Sequence, residues 1–327
     1  MSSQGIYNSI VAEAYAQPLL VRSDEESLLR AKSTEEIFSV LLNTPLGQYI
    51  GSENRDMAQI ELACEQYLYS FKDQAQYLYI SLEIQKLLWA QYDFHNLSIL
   101  TKAKSTGEDF PTIEPLLSTL GFYAKSTLYS HFISDTLYQL DPLIHEAYHK
   151  AYWHIEAGDV ARAELEIEKH YWLYCKNYSI TSQDVFIQEY LKIAIDLANI
   201  FSIIRSKNNN RIDFARYYVS GGNYGKEIFS NVDSAIALLE QYGGLDRWRS
   251  AVEECLSKGE GNAIERLRQT YLLEYAMSQT KTIFSVSNFV KNFIAIQLEC
   301  KKVSVLAIAS LYSVPREKIA SVVNSNI

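Results

Sequence analysis

The strongest constraint on this chain is that it repeats itself. The segment Tyr92-Asp93-Phe94-His95-Asn96-Leu97 returns 103 positions later as Ile195-Asp196-Leu197-Ala198-Asn199-Ile200. Glu61 and Glu65 return at the same offset as Glu164 and Glu168, and Lys104 returns as Lys207. Three features held in one register argue against coincidence, and self-similarity at a fixed period governs the choice of architecture. A third copy is fainter. Glu299 stands 103 beyond Asp196, within Leu298-Glu299-Cys300-Lys301-Lys302-Val303, and Glu265 stands 101 beyond Glu164. A unit of this length exceeds tetratricopeptide, ankyrin and HEAT repeats, so three similar domains are expected rather than a solenoid. The register divides the chain into residues 1–105, 106–210 and 211–327.

Each unit reads as helix. Apolar residues recur at helical spacing almost throughout, as Leu28, Ile37, Leu41 and Leu42 illustrate, and period-two alternation is nearly absent. Ser33-Thr34-Glu35-Glu36 carries a Ser cap with Glu three residues on, the pattern of a helix start. Breakers fall at Thr44-Pro45, between Ser105 and Pro111, at Asn208-Asn209-Asn210, at Gly221-Gly222 and at Gly243-Gly244. The stretch Ile193 to Ile204 is apolar on every face except at Asp196, Asn199 and Ser202, which predicts a helix buried inside its domain. Its Asp and Asn lie at i and i+3 on one face, so both must find hydrogen-bond partners in the interior. A structural polar pair is the simplest reading of each Asp/Asn repeat.

Charge and cysteine usage exclude several function classes. The net charge of −9 disfavours attraction to nucleic-acid phosphates or anionic lipid. Cys64, Cys175, Cys255 and Cys300 are widely spaced with no CxxC, which fits reduced thiols better than a disulfide framework or zinc knuckle. The segment MSSQGIYNSIVAEAYAQPLL lacks the basic-then-apolar pattern of a secretory signal. Apolar runs such as Val303 to Ser313 fall short of the roughly 20 residues that a spanning helix needs. A soluble, cytoplasmic chain is the expectation.

One motif has the look of an active site. His145-Glu146-Ala147-Tyr148-His149 fits HExxH, in which two imidazoles four residues apart share a helix face, bind zinc and leave the Glu to activate water. Glu164 or Glu168 could supply a third ligand. Both carboxylates, however, are already explained by the repeat, since Glu61 and Glu65 match them where no histidine pair precedes. A solvated helix face bearing two histidines is the preferred reading, with a zinc metallopeptidase and a generic helical scaffold as alternatives. No GxxxxGK[ST] or GxGxxG occurs, and Asn223-Tyr224-Gly225 reads as a loop rather than a phosphate cradle. The 24 tyrosines at helical spacing read as core and interface.

The ordered motifs resemble a known family. Arg30-Ala31-Lys32-Ser33-Thr34-Glu35-Glu36-Ile37 leads to Leu41-Leu42-Asn43-Thr44-Pro45, and Asp93 with Asn96 and Asp196 with Asn199 are followed by Arg205 and Lys207. With the Gly221-Gly222 turn and Glu299, these positions are similar to the signature of the C-subunit family of V/A-type rotary ATPases, whose eukaryotic V-ATPase equivalent is the d-subunit. Leu46 replaces the family's usual Tyr, and Ser304 replaces an arginine expected in the last long helix. The resemblance implies an all-α fold of three pseudo-equivalent domains arranged as a funnel. It further implies a noncatalytic, cofactor-free rotor component at the cytoplasmic face of the membrane. The implied partners are the central stalk subunits and the proteolipid ring, in a complex that couples ATP chemistry to proton or sodium transport.

Overall fold

The structure is a computed structural model that describes residues 18–51, 55–77, 80–207, 218–259, 261–279, 286–312 and 314. The described residues form thirteen α-helices and no strand, so the chain is all-α. In order they are α1 (Arg22–Arg30), α2 (Thr34–Leu41), α3 (Met57–Tyr77), α4 (Leu82–Thr106), α5 (Phe110–Ile113), α6 (Lys125–Ile133), α7 (Pro142–Glu156), α8 (Val160–Ser182), α9 (Val185–Lys207), α10 (Val232–Ala237), α11 (Leu245–Lys258), α12 (Asn262–Ser278) and α13 (Ser287–Leu311). None of the described helices is long and apolar enough to cross a membrane. Residues 1–17 and the Asn208-Asn209-Asn210 breaker lie outside the described residues.

Local chemistry explains the helix ends. The Ser33 side chain accepts from the Glu36 backbone N–H, and the Glu36 carboxylate reaches back to the Lys32 N–H, which satisfies two amides that a helix start leaves bare. Asp141 and Asp159 cap α7 and α8 by accepting the Leu143 and Arg162 N–H groups, and Pro142 takes the first position of α7, where its missing N–H costs nothing. At the far end of α4, Gly107 adopts φ 74°, the left-handed turn that stops the helix.

The chain gathers into two compact units. The first joins Met1–Tyr79 to Leu273–Ile327. Within it α13 packs on α3 and α1, and Phe71 of α3 stacks on Phe289 at 4.5 Å between ring centroids. Lys302 of α13 pairs with Glu25 of α1, and Ser310 Oγ donates to the Ala31 carbonyl. Burying each side chain of Phe71's size is worth roughly 2 to 3 kcal/mol, so this seam is where the unit gains its cohesion.

The second unit is Ile80–Leu272. Its centre is α4, α7 and α8 in mutual contact, with α9 laid on α8 and flanked by α10 and α11. Phe94 meets Tyr171 and Tyr174 edge-on at 5.8 and 5.5 Å, and Phe201 lies 5.6 Å from the wholly buried Trp248. As their periodicity predicts, α4 and α9 are enclosed on most faces. Their middle stretches bury Asp93, Asn96, Asp196 and Asn199 to 1% exposure or less.

Candidate functional site

The four buried polar residues of α4 and α9 make two copies of one arrangement. Asn96 exchanges a pair of hydrogen bonds with the backbone of Ser118: its Nδ2 donates to the carbonyl at 2.9 Å and its Oδ1 accepts the N–H at 2.8 Å. Asn199 does the same with Val219, at 2.8 and 3.0 Å. One helical turn earlier, Asp93 accepts the N–H groups of Phe122 and Tyr123 at 2.9 and 3.1 Å. Asp196 accepts those of Asn223 and Tyr224 at 2.8 and 3.4 Å. The loop residues correspond at an offset of 101, so helix and loop recur together. A carboxylate and an amide one turn apart thus pin an incoming loop by its main chain, which satisfies amides that would otherwise be buried bare.

Glycine makes the close approach possible. A Cβ on Gly222 would lie 2.0 Å from Asp196 Oδ1, and one on Gly121 would lie 2.4 Å from Asp93 Oδ1. Gly221 adds a φ of 121°, which an L side chain rarely adopts. In the second copy two side chains join the backbone donors. Asn223 Nδ2 donates to Asp196 at 2.9 Å, and the Tyr242 hydroxyl donates at 2.7 Å. Burial and the neighbouring carboxylate push the Tyr242 hydroxyl pKa well above its usual value, so it stays a donor.

The remaining signature positions fall at helix ends or in α13. Thr44 donates to the Leu41 carbonyl at 2.7 Å and accepts the Leu46 N–H, capping a short turn over Pro45–Tyr49. Arg205 reaches Glu265 at 4.0 Å, and Lys102, which stands 103 positions before it, reaches Glu164 at 2.6 Å. Glu299 sits in α13 beside Lys302 at 3.9 Å and accepts the backbone N–H of Leu20. Burial raises its pKa, while Lys302 opposes that shift.

The HExxH residues separate into two groups. His145 and His149 face each other on α7 with Nε2 atoms 2.9 Å apart, and Asp135 Oδ1 lies 3.5 Å from His149 Nε2. Glu146 instead binds Lys150 at 2.5 Å and lies 3.6 Å from His170 of α8, and the Lys150 bond holds its carboxyl below the usual range. Neither carboxylate offered as a third ligand for the zinc alternative is grouped with the two histidines: Glu164 is paired with Lys102, and the charge of Glu168 acts on Arg268. The carboxylate beside the histidines is Asp135, ten residues upstream of His145 on a turn with φ 54°. No spacing rule marks it. The loop partners Ser118, Phe122 and Tyr123 were equally unmarked, although Leu120-Gly121-Phe122-Tyr123 echoes Gly221-Gly222-Asn223-Tyr224.

The four cysteines are buried, and none is in a disulfide. Cys64 and Cys300 nevertheless meet across α3 and α13, each Sγ 3.9 Å from the other's carbonyl oxygen.

Comparison with known proteins gives these features a context. The family model described as ATP synthase (C/AC39) subunit matches residues 11–322. The chain belongs to this family. The resemblance drawn from the repeated Asp/Asn signature is therefore established, and with it the place of the chain among C/AC39 proteins. The C-subunit of the A-type ATP synthase of Thermococcus onnurineus (strain NA1) is 24% identical over 185 residues, 53% of this chain. The chain spans about half the length of that relative, 50%. The repeated Asp and Asn residues on which the resemblance rests build the helix and loop locks of α4 and α9.

Proposed function

We propose that this chain is a noncatalytic central-rotor subunit of a V/A-type ATPase or ATP synthase. In this reading it is a socket that couples the central stalk to the proteolipid ring at the cytoplasmic face of the membrane. The repeat units 1–105, 106–210 and 211–327 would form its three pseudo-equivalent domains, arranged as a funnel. The family match over residues 11–322 carries the proposal. Internal geometry supports it. The buried polar residues of α4 and α9 grip backbone rather than converge on a cavity, and a torque-bearing part needs stiffness more than it needs a reactive group. Peptidase chemistry is not part of the reading, because the Glu146 oxygen that would activate water is held by Lys150.

The protein needs no cofactor and, at net charge −9, has no electrostatic reason to bind nucleic acid. If its two interfaces are polar, changing ionic strength changes attachment through screening. The test is affinity purification of the tagged chain from gently solubilised membranes of its own host. Co-purification of proteolipid ring and central stalk subunits is the expected result. Recovery of neither would overturn the proposal.

A further inference from the structure

We propose that Asp135, His145 and His149 form a surface binding site for one divalent transition-metal ion, zinc being the best fit. The site goes beyond the rotor reading and does not depend on it. Its ligand atoms all lie within 4.8 Å of one another, with the two Nε2 atoms 2.9 Å apart and Asp135 Oδ1 3.5 Å from His149 Nε2. Tetrahedral zinc with bonds of about 2.0 to 2.1 Å places neighbouring donors about 3.3 Å apart. The 2.9 and 3.5 Å separations straddle that value, and the Asp135–His145 pair, within 4.8 Å, closes on an ion by rotation of these exposed or half-buried side chains. Two imidazoles and one carboxylate match the mixed N/O donor set that zinc accepts, and the exposed position leaves a fourth site for water.

Two further observations favour a built site over a chance meeting of surface groups. First, the donors are braced. The His145 ring stands edge-on to Tyr138 at 5.7 Å, and the His149 ring lies 4.6 Å from Tyr148, itself buried. Second, Asp135 occupies a left-handed backbone position that costs free energy in a non-glycine residue, and its turn is closed by specific bonds. The Thr136 N–H donates to the His131 carbonyl at 2.8 Å, the Ser134 and Thr136 hydroxyls lie 2.7 Å apart, and His131 Nδ1 lies 2.9 Å from Thr136 Oγ1. The turn thereby presents Asp135 to the histidine face of α7. Lys104 is the opposing charge in the neighbourhood, and its ammonium is engaged by the Tyr148 hydroxyl. A bound ion would tie the turn after α6 to α7, which makes the site a staple. Glu146 faces Lys150 and His170, so the proposal is of binding and not of hydrolysis.

The test titrates the full-length, chelator-treated protein with zinc chloride by calorimetry. In parallel, cobalt chloride is followed by visible absorption, where tetrahedral Co²⁺ has intense bands that the hydrated ion lacks. One equivalent should bind, and tetrahedral cobalt bands should appear. Since losing even a supporting residue around a metal typically costs about 10- to 100-fold in affinity, Asp135→Ala and His149→Ala should each weaken binding at least tenfold. His149→Gln, which keeps the side-chain bulk, should do the same, and His154→Ala should leave binding unchanged. Circular dichroism and thermal melting without metal establish that each variant is folded. Zinc should raise the melting temperature of the parent chain and not that of the ligand variants. No binding by the parent, or binding that folded Asp135 and His149 variants retain in full, would overturn the proposal.

Discussion

Asp93 in α4 and Asp196 in α9 occupy the same place in their helices and grip equivalent loop amides, yet their surroundings differ in chemistry. At Asp196, Asn223 and Tyr242 add side-chain donors to the backbone N–H groups. At Asp93, the position corresponding to Asn223 is Phe122, which has no side-chain donor. The shared part is therefore the backbone lock, and the variable part is how many neighbouring segments are drawn into it. In α9 the carboxylate also fastens the turn after α10 through Tyr242, so a single residue orders three stretches of chain. The third register position differs more. Glu299 is a longer acid, and Lys302 stands 103 positions after Asn199, where the amide would fall. Its loop amide is that of Leu20, from the opposite end of the chain.

Replacing the carboxylates probes the comparison most strongly. Asp196→Ala strands several buried donors at once and should cost about 3 to 5 kcal/mol, because each unsatisfied buried group costs about 1 to 3 kcal/mol. Asp93→Ala should cost less. Urea unfolding of the two variants decides the matter, and equal losses would mean that the extra donors around Asp196 add nothing. A narrower measurement removes one donor: Tyr242→Phe should cost about 1.5 to 3 kcal/mol, the range for a hydrogen bond to a charged group. If its unfolding midpoint matches that of the parent chain, the hydroxyl contributes nothing to the lock.

Glu299 makes stability depend on pH. Its pKa is raised in the folded chain, so the folded state holds the proton more tightly than the unfolded state does. Stability on its account is fully present below the unfolded pKa near 4.5 and declines as pH rises from there through the raised folded pKa. Glu299→Gln should remove that decline, leaving a variant that gains on the parent chain between pH 4.5 and neutrality. Denaturant curves recorded across this range check the sign, and a variant that loses ground as pH rises would refute it. The smallest effect should come from the ion pairs that echo each other at the helix ends. Arg205 and Glu265 are 4.0 Å apart and partly exposed, so Arg205→Ala should cost about 0.5 kcal/mol or less. A larger loss in thermal melting would give the pair an importance that its geometry does not predict.

Much of this was legible in the sequence. A buried helix must be apolar nearly all round, so Ile193 to Ile204 declared itself, and polar residues inside it had to be paired. The Ser33 cap was visible because helix starts use a short local code. The partners were harder to see. Asn96 meets Ser118 and Asp93 meets Tyr123 across 22 and 30 positions that leave α4 and return through α5 and a loop, a path on which periodicity carries no signal. Cys64 and Cys300 meet across 236 positions, a separation no spacing pattern can encode. Asp135 escaped for another reason. A carboxylate on a turn owes its direction to backbone geometry, here a positive φ, and residue type alone does not reveal that.

The seam of α13 with α3 and α1 has a consequence for how the chain is made. Residues of α1 and α3 leave the ribosome early, while the helix that stacks on Phe71 and carries Ser310, whose hydroxyl donates to the Ala31 carbonyl, comes more than 200 positions later. Ile80–Leu272 has its own core and can condense as it emerges. Helices α1 and α3 must wait, the faces they turn to α13 uncovered, until α13 has been made. Helices made early are thus secured by one made more than 200 positions later, and the interval between leaves apolar side chains such as Phe71 open to a chaperone.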